Sequence, residues 1–205
     1  MKSGSLVVPY ISTWSTEKSI RRAIVQDGRG IAYAEETPFD RDSGGVLWTR
    51  RALKRGHGRP EFGNIHPQRQ QRAMRRLLCQ VCGGPPDRDE RGMLWLLKDH
   101  RDDWRGWPND LLTPHPPVCL PCAQQAIKRC PHLASDHVAV RVAESDVCGV
   151  YGLRYRRGSA LPIPGEADVI EYGDPGIRWV LASQLVRGLN GCTFVDLEAE
   201  LVSHA

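Results

Sequence analysis

Short apolar runs separated by turn residues dominate this chain, and they predict more strand than helix. Residues 6–8, 30–34, 46–49, 92–97, 138–142, 147–155, 169–172 and 193–195 read as strands bounded by turn residues such as Gly, Pro, Asn or Asp. Helical spacing is expected at four places. Residues 15–26 repeat weakly through Ile20, Ala23 and Ile24. Residues 66–78 open at Pro67, which suits a first helical position, and turn Ala73, Met74, Leu77 and Leu78 inward. Residues 123–129 have the composition of a short helix that Pro131 ends. Residues 179–189 stop at Asn190-Gly191. Residues 101–117 form a loop punctuated by Trp and Pro, and residues 158–165 form another. The expected fold class is α+β, divided along the chain into three segments: 1–59, a β-rich segment with a basic linker; 60–136, a basic helix and a cysteine-bearing module; and 137–205, an α+β layer.

The 205 residues carry a net charge of +4 and are 40% hydrophobic, an ordinary balance for one moderate domain or two small ones. The distribution is polarised. Between residues 50 and 76, nine Lys or Arg face one acid, Glu61, giving +8, so the remainder sums to −4. A basic middle with acidic flanks suits a polyanionic partner. Lys54 and Arg55 lie in the linker, while Arg69, Arg72 and Arg76 make a cationic helix stripe beside Arg75, and together they are the candidate nucleic-acid-binding residues. The ordinary counterpart of such a stripe is a solvated face. Asp40 and Asp42, within Asp-Arg-Asp-Ser-Gly-Gly, read as a solvated turn.

The sharpest chemical signal is a pair of motifs, Cys79-Gln80-Val81-Cys82 and Cys119-Leu120-Pro121-Cys122. Two residues between cysteines let a tight turn aim both sulfurs at one centre. Two such pairs supply the four thiolates of a closed tetrahedral zinc site. Gly83 and Gly84 can take positive φ after the first pair, and Pro121 stiffens the second. A redox Cys-x-x-Cys normally opens a helix, whereas residues 75–78 read as the end of one. Disulfides need an oxidising compartment, and the apolar run 6–11, broken by Pro9, is too short for an export signal or a membrane span. The expectation is therefore a cytoplasmic protein with reduced cysteines, a structural Zn2+ on Cys79, Cys82, Cys119 and Cys122, and no membrane association. Cys130, Cys148 and Cys192 read as small buried hydrophobes, Cys130 being the one placed to substitute for a member of the quartet.

Knuckle, strand, loop, second knuckle and helix describe a treble clef. The residues in it resemble the HNH endonuclease motif in its four-cysteine variant: Cys79-x-x-Cys82, a strand, Asp99-His100, Asn109-Asp110-Leu111, Cys119-x-x-Cys122 and a helix carrying Lys128. The resemblance covers residues 79 to about 130. It implies His100 as the general base, Asp99 as a ligand of a catalytic Mg2+ or Mn2+, Asn109 as the group orienting the base, and a later histidine completing the metal site. A neutral imidazole takes a proton near neutral pH, and a divalent ion stabilises the charge of a cleaving phosphodiester. Directly after the second knuckle, where that family carries histidine or asparagine, this chain has Ala123, which ligates nothing. His115 precedes the knuckle and His132 follows Pro131.

The expected function is accordingly a zinc-binding treble-clef protein, related to HNH nucleases but not catalytic, that engages nucleic acid or a protein partner. One alternative is an active metal-dependent DNA endonuclease using His100. Another is a zinc-stabilised adaptor that uses the C-terminal β-rich surface. Trp95 reads as core, and Trp104 and Trp107 as a lid over the zinc module. His100 and Asn109 have ordinary counterparts as a strand-end histidine and a turn residue.

Overall fold

Gly92–Leu97 is buried at every position, because it has an apolar layer on each face. The computed structural model describes residues 7–130, 133 and 136–203. Its elements are β1 (Ser12–Trp14), β2 (Ile24–Gln26), β3 (Ile31–Tyr33), β4 (Leu47–Trp48), β5 (Pro60–Ile65), α1 (Pro67–Arg76), β6 (Arg88–Asp89), β7 (Gly92–Leu97), β8 (Leu111–Thr113), α2 (Leu120–Arg129), β9 (Val138–Arg156), β10 (Ile163–Glu171), a 3-10 turn (Pro175–Trp179), β11 (Val180–Val195) and α3 (Leu197–Ser203). The protein is α+β, with a body that is mostly sheet and few helices. Among the described residues no helix is long and apolar enough to cross a membrane.

Where the sequence suggests three consecutive segments, the chain packs into two units, each assembled from non-contiguous stretches. One takes the described residues of Met1–Ile11, Arg72–Val147 and Arg187–Ala205; the other takes Ser12–Gln71 and Cys148–Val186.

In the first unit β7 pairs antiparallel with β9, Trp95 opposite Val140 and Leu97 opposite Val138, and with the short β6 on its other edge. Side chains alternate across a strand, so Leu94 and Leu96 turn to a layer with Cys79, Val118, Leu120, Cys122, Ala123 and Ala139. Met93, Trp95 and Leu97 turn to the opposite layer with Trp107, Val140, Val142 and Leu189. Trp95 is core, as expected. Trp107 packs in that second layer, away from the cysteines, and Trp104 is exposed; the two do not form a lid over the cysteine module. Burying residues such as Trp95, Leu94 and Val140 completely is worth about 1.5–3 kcal/mol each in transfer free energy, so this strand is the unit's structural axis.

Arg141 lies on the cysteine-side face of β9 yet is fully buried. Its guanidinium meets Asp87 Oδ1 at 2.5 Å and Asp89 Oδ2 at 3.4 Å and is ion-paired with Glu200 of α3. Arg91 also reaches Glu200, at 2.6 Å. Three carboxylates thus surround a buried cation and tie α3 to the sheet; Leu197 of the same helix joins the cysteine-side layer.

In the second unit β1 pairs antiparallel with β5 across a bulge at Ser12/Thr13, β2 with β3, and β10 with the later part of β9. β4 runs parallel to the first part of β11. Ile31, Tyr33 and Leu47 form the core here, joined by Ile24, Tyr155, Trp179 and Leu181.

Two expected helices are absent. Trp179 closes the 3-10 turn and residues 180–189 extend as the first part of β11, because β4, β8 and β9 pair with that strand and sheet partners override a spacing that suits either state. Asn190-Gly191, which looks like a helix stop, is a kink inside the strand. Gly191 has φ +62, and a Cβ there would lie 2.8 Å from that of Ala143. Residues 15–26 form hydrogen-bonded turns and β2, with Ile20 45% exposed instead of buried. The expected first strand has no strand at Val7 and Val8, and Leu6 lies outside the described residues. Asp40 is not solvated: it is fully buried, accepts from Thr37 N and Oγ1 at 2.7 Å, and pairs with Arg50 at 2.7 Å.

Candidate metal centre

The first cysteine pair begins where α1 ends. Leu77 takes φ +50, and Leu78 N–H bonds back to Ala73 O at 2.8 Å, the six-to-one closure of a helix C-terminus. Cys79 follows at once. Gly83 N–H donates to Cys79 O and Cys79 N–H to Gly84 O, both at 2.8 Å, closing a tight turn. Gly83 sits at φ +76, and a Cβ there would meet the Tyr10 ring at 2.9 Å, so both conformation and packing demand glycine. Tyr10 is itself fixed by its N–H to Val81 O at 2.8 Å.

The second pair opens α2. Cys119 is the N-cap and Pro121 occupies the first turn, where a missing N–H costs nothing. What brings this pair to the first is the stretch before it. Gln80 N–H donates to Pro117 O at 3.0 Å, Val118 N–H to Leu94 O at 2.9 Å and Asp87 N–H to Val118 O at 3.1 Å. Residues 117–118 are therefore stitched to both the first knuckle and β7.

The four sulfurs of Cys79, Cys82, Cys119 and Cys122 all lie within 4.8 Å of one another, and Cys82 Sγ is 3.9 Å from Cys119 Sγ. A tetrahedral zinc with bonds of about 2.3 Å places its sulfurs roughly 3.8 Å apart, so the residues fit the ion without rearrangement of the chain. None of the seven cysteines is in a disulfide. Burial pushes the Cys79 thiol up to about 11 and raises that of Cys122, so neither ionises readily by itself. A bound divalent cation reverses this, since a coordinating thiol is deprotonated outright. The Gly84 N–H aimed at Cys82 Sγ, at 3.4 Å, supports a thiolate there. Four protein ligands close the coordination sphere, the arrangement of a structural centre. Cys130 is the C-cap of α2 and stands outside the quartet.

The other expected site residues are engaged locally. Asp99 accepts from Arg101 through both oxygens, Oδ1 at 3.0 Å and Oδ2 at 2.6 Å, and Arg101 holds its carboxyl below the ordinary carboxylate value. His100 is exposed, with Nδ1 3.2 Å from Asp103 Oδ2 and its ring edge-on to Trp107. Asn109 donates to Gly106 O and accepts from Cys192 N–H, pinning its loop. His115 is exposed, and its carbonyl takes the Trp95 indole N–H at 2.9 Å. His132 lies outside the described residues. Ala123 is fully buried among Leu94, Leu96 and Val118, a setting that explains a small apolar residue. Among the described residues, the cysteine quartet is the one group of three or more His, Cys, Asp or Glu whose ligand atoms converge.

Of the candidate cationic residues, Arg72, Arg75 and Arg76 are exposed on the last turns of α1, Arg72 donating to Tyr10 Oη at 2.8 Å. Arg69 is not on that face. It is 6% exposed and bonds both oxygens of the buried Glu17, at 2.6 and 2.7 Å. Its place in the stripe is thereby corrected: an internal carboxylate outcompetes solvent for it. Lys54 and Arg55 are exposed in the linker. Sequence reasoning missed Glu17, Arg141 and Tyr10. The one legible hint was a charged residue inside the alternating run Val-Ala-Val-Arg-Val. Compared with known protein families, curated proteins and solved structures, the chain matches none.

Proposed function

We propose that this is a zinc-dependent nucleic-acid-binding protein whose cysteine module is a treble clef, related to HNH nucleases in layout but without their catalysis. The observation that carries this reading is the convergence of four sulfurs immediately after a helix end bearing Arg72, Arg75 and Arg76. A first knuckle, the β6–β7 hairpin, and a second knuckle opening α2 follow in the order a treble clef requires. The ion's task is to hold that module's shape, and the exposed guanidinium groups supply phosphate contacts that position a strand without reading its bases. The non-catalytic part of the reading is supported by the local partners of Asp99 and Asn109 and by the apolar packing of Ala123.

Two assays test it together. Retention of a labelled oligonucleotide should fall at least tenfold in an Arg72→Ala/Arg75→Ala/Arg76→Ala variant. Supercoiled plasmid with Mg2+ or Mn2+ should show no nicking that His100→Ala abolishes. Absence of binding at low salt would remove the nucleic-acid reading, and His100-dependent nicking would make the protein a nuclease.

A further inference from the structure

In the second unit, residues 53–58 form a built loop. Lys54 N–H donates to the buried Glu17 Oε1 at 3.1 Å, His57 N–H to Lys54 O at 3.1 Å, and Thr16 Oγ1 to His57 O at 2.8 Å. At its far end Arg59 N–H donates to Ser15 Oγ at 3.0 Å, and Ser15 N–H returns a bond to Arg59 O at 2.8 Å. Gly56 and Gly58 take φ +86 and +81, and a Cβ on Gly58 would lie 2.4 Å from Ser15 Oγ. Conformation and close approach therefore both fix the loop's shape.

A cleft of about 420 Å³ opens beside it, lined by Thr16, Leu53, Lys54, Arg55 and His57. No carboxylate lines it, because the one acid beneath, Glu17, is turned inward onto Arg69 and the backbone N–H groups of Trp14 and Lys54. Its lining combines two cations, Lys54 and Arg55, with Leu53, which is 72% exposed, and the imidazole of His57. The volume falls in the range of small-molecule sites, about 300–1,000 Å³.

We infer that this cleft receives one nucleotide of a nucleic-acid strand. Its phosphate lies on Lys54 and Arg55, and its sugar or base lies against Leu53 and His57. A carboxylate side chain would use the cations alone and leave Leu53 and His57 uncovered, whereas a nucleotide uses both kinds of lining. Arg69 then acts through Glu17 as the loop's support and touches no phosphate. Because the loop is held before the ligand arrives, little ordering is lost on binding. The inference rests on the nucleic-acid reading above and adds a specific site to it.

The test is a fluorescence-anisotropy titration of the full chain with a labelled single-stranded oligonucleotide at several salt concentrations. Alanine at Lys54 and Arg55 keeps the backbone N–H that Glu17 holds, and a matched melt of Lys54→Ala/Arg55→Ala shows that the fold is kept. The variant should bind about tenfold more weakly, with the slope of log K against log salt reduced by about 0.7 for each phosphate no longer neutralised. Leu53→Ser should weaken binding several-fold and leave the slope unchanged. A mononucleotide should displace the oligonucleotide at lower concentration than inorganic phosphate or polyglutamate. If the parent chain fails to bind, the broader reading falls. If it binds and Lys54→Ala/Arg55→Ala keeps its affinity and slope, the cleft assignment is overturned while the broader reading stands. Equal displacement by phosphate with no effect of Leu53→Ser leaves a plain anion site, and stronger displacement by polyglutamate indicates an acidic peptide; either overturns the nucleotide assignment.

Discussion

Glu17 is the residue whose removal should be felt most widely in the second unit. Its carboxylate is fully buried and accepts four bonds: two from Arg69 at 2.6 and 2.7 Å, one from Trp14 N at 2.9 Å and one from Lys54 N at 3.1 Å. Glu17→Ala leaves a buried guanidinium without its carboxylate and strips an acceptor from two backbone N–H groups. Breaking a buried pair on one side costs about 3–5 kcal/mol, or a fall in melting temperature of roughly 6–20 °C for a chain of this size. Glu17→Gln keeps the shape and loses the charge, so its cost should be smaller, about 1.5–3 kcal/mol. Glu17→Ala/Arg69→Met removes both charges and should lose less than the two single changes added together, by about 0.5–3 kcal/mol. Thermal melts followed by tryptophan fluorescence and circular dichroism supply the numbers. A Glu17→Ala protein within about 1 kcal/mol of the parent, or strict additivity in the double variant, would refute the reasoning.

The same group sets a pH dependence. Burial alone would raise the Glu17 carboxyl, but the Arg69 bonds and the Trp14 N–H outweigh it and bring it below the ordinary 4.5. Its contribution to stability is therefore whole above that unfolded value and drains away as pH falls through the lower folded one. The parent should lose stability more steeply than Glu17→Gln below about pH 4.5 in matched melts. Gly83→Ala meets a left-handed backbone and the Tyr10 ring at 2.9 Å; it should cost at least about 1–2 kcal/mol and speed loss of zinc to a chromophoric chelator. Arg141→Ala takes the buried cation from Asp87 and leaves Asp89 and Glu200 with Arg91 alone, and it should destabilise the chain by about 3–5 kcal/mol in denaturant titrations. Leu96→Ala opens a cavity on the cysteine-side layer, with an expected loss of about 2–5 kcal/mol by the same titration.

The local chemistry of the cysteine module was legible in the chain. Pro67 starts α1, each Cys-x-x-Cys makes its turn and residues 92–97 form the buried strand, because each carries its signal in neighbouring residues; the meeting of the two pairs, 37 residues apart, was legible from their matched spacing. What stayed hidden depends on distant partners. Residues 179–189 carry a spacing that serves helix or strand, and their sheet partners β4, β8 and β9 decide it. Arg69 lies at helical spacing with Arg72 and Arg76, and nothing local announces that Glu17, 52 residues away, will claim it. Asp40 lies in a turn-rich string, but Arg50 and Thr37 fold over it. The discontinuous units follow from β9 and β11, long strands of which each unit takes a part.

Metal analysis of the purified chain tests the central claim most directly. About one zinc per chain is expected, held by four thiolates, with Cys82→Ser and Cys119→Ser each losing the metal and the melting transition of the module falling with it. A metal-free protein whose melting is indifferent to added zinc, to chelator and to both substitutions would contradict it.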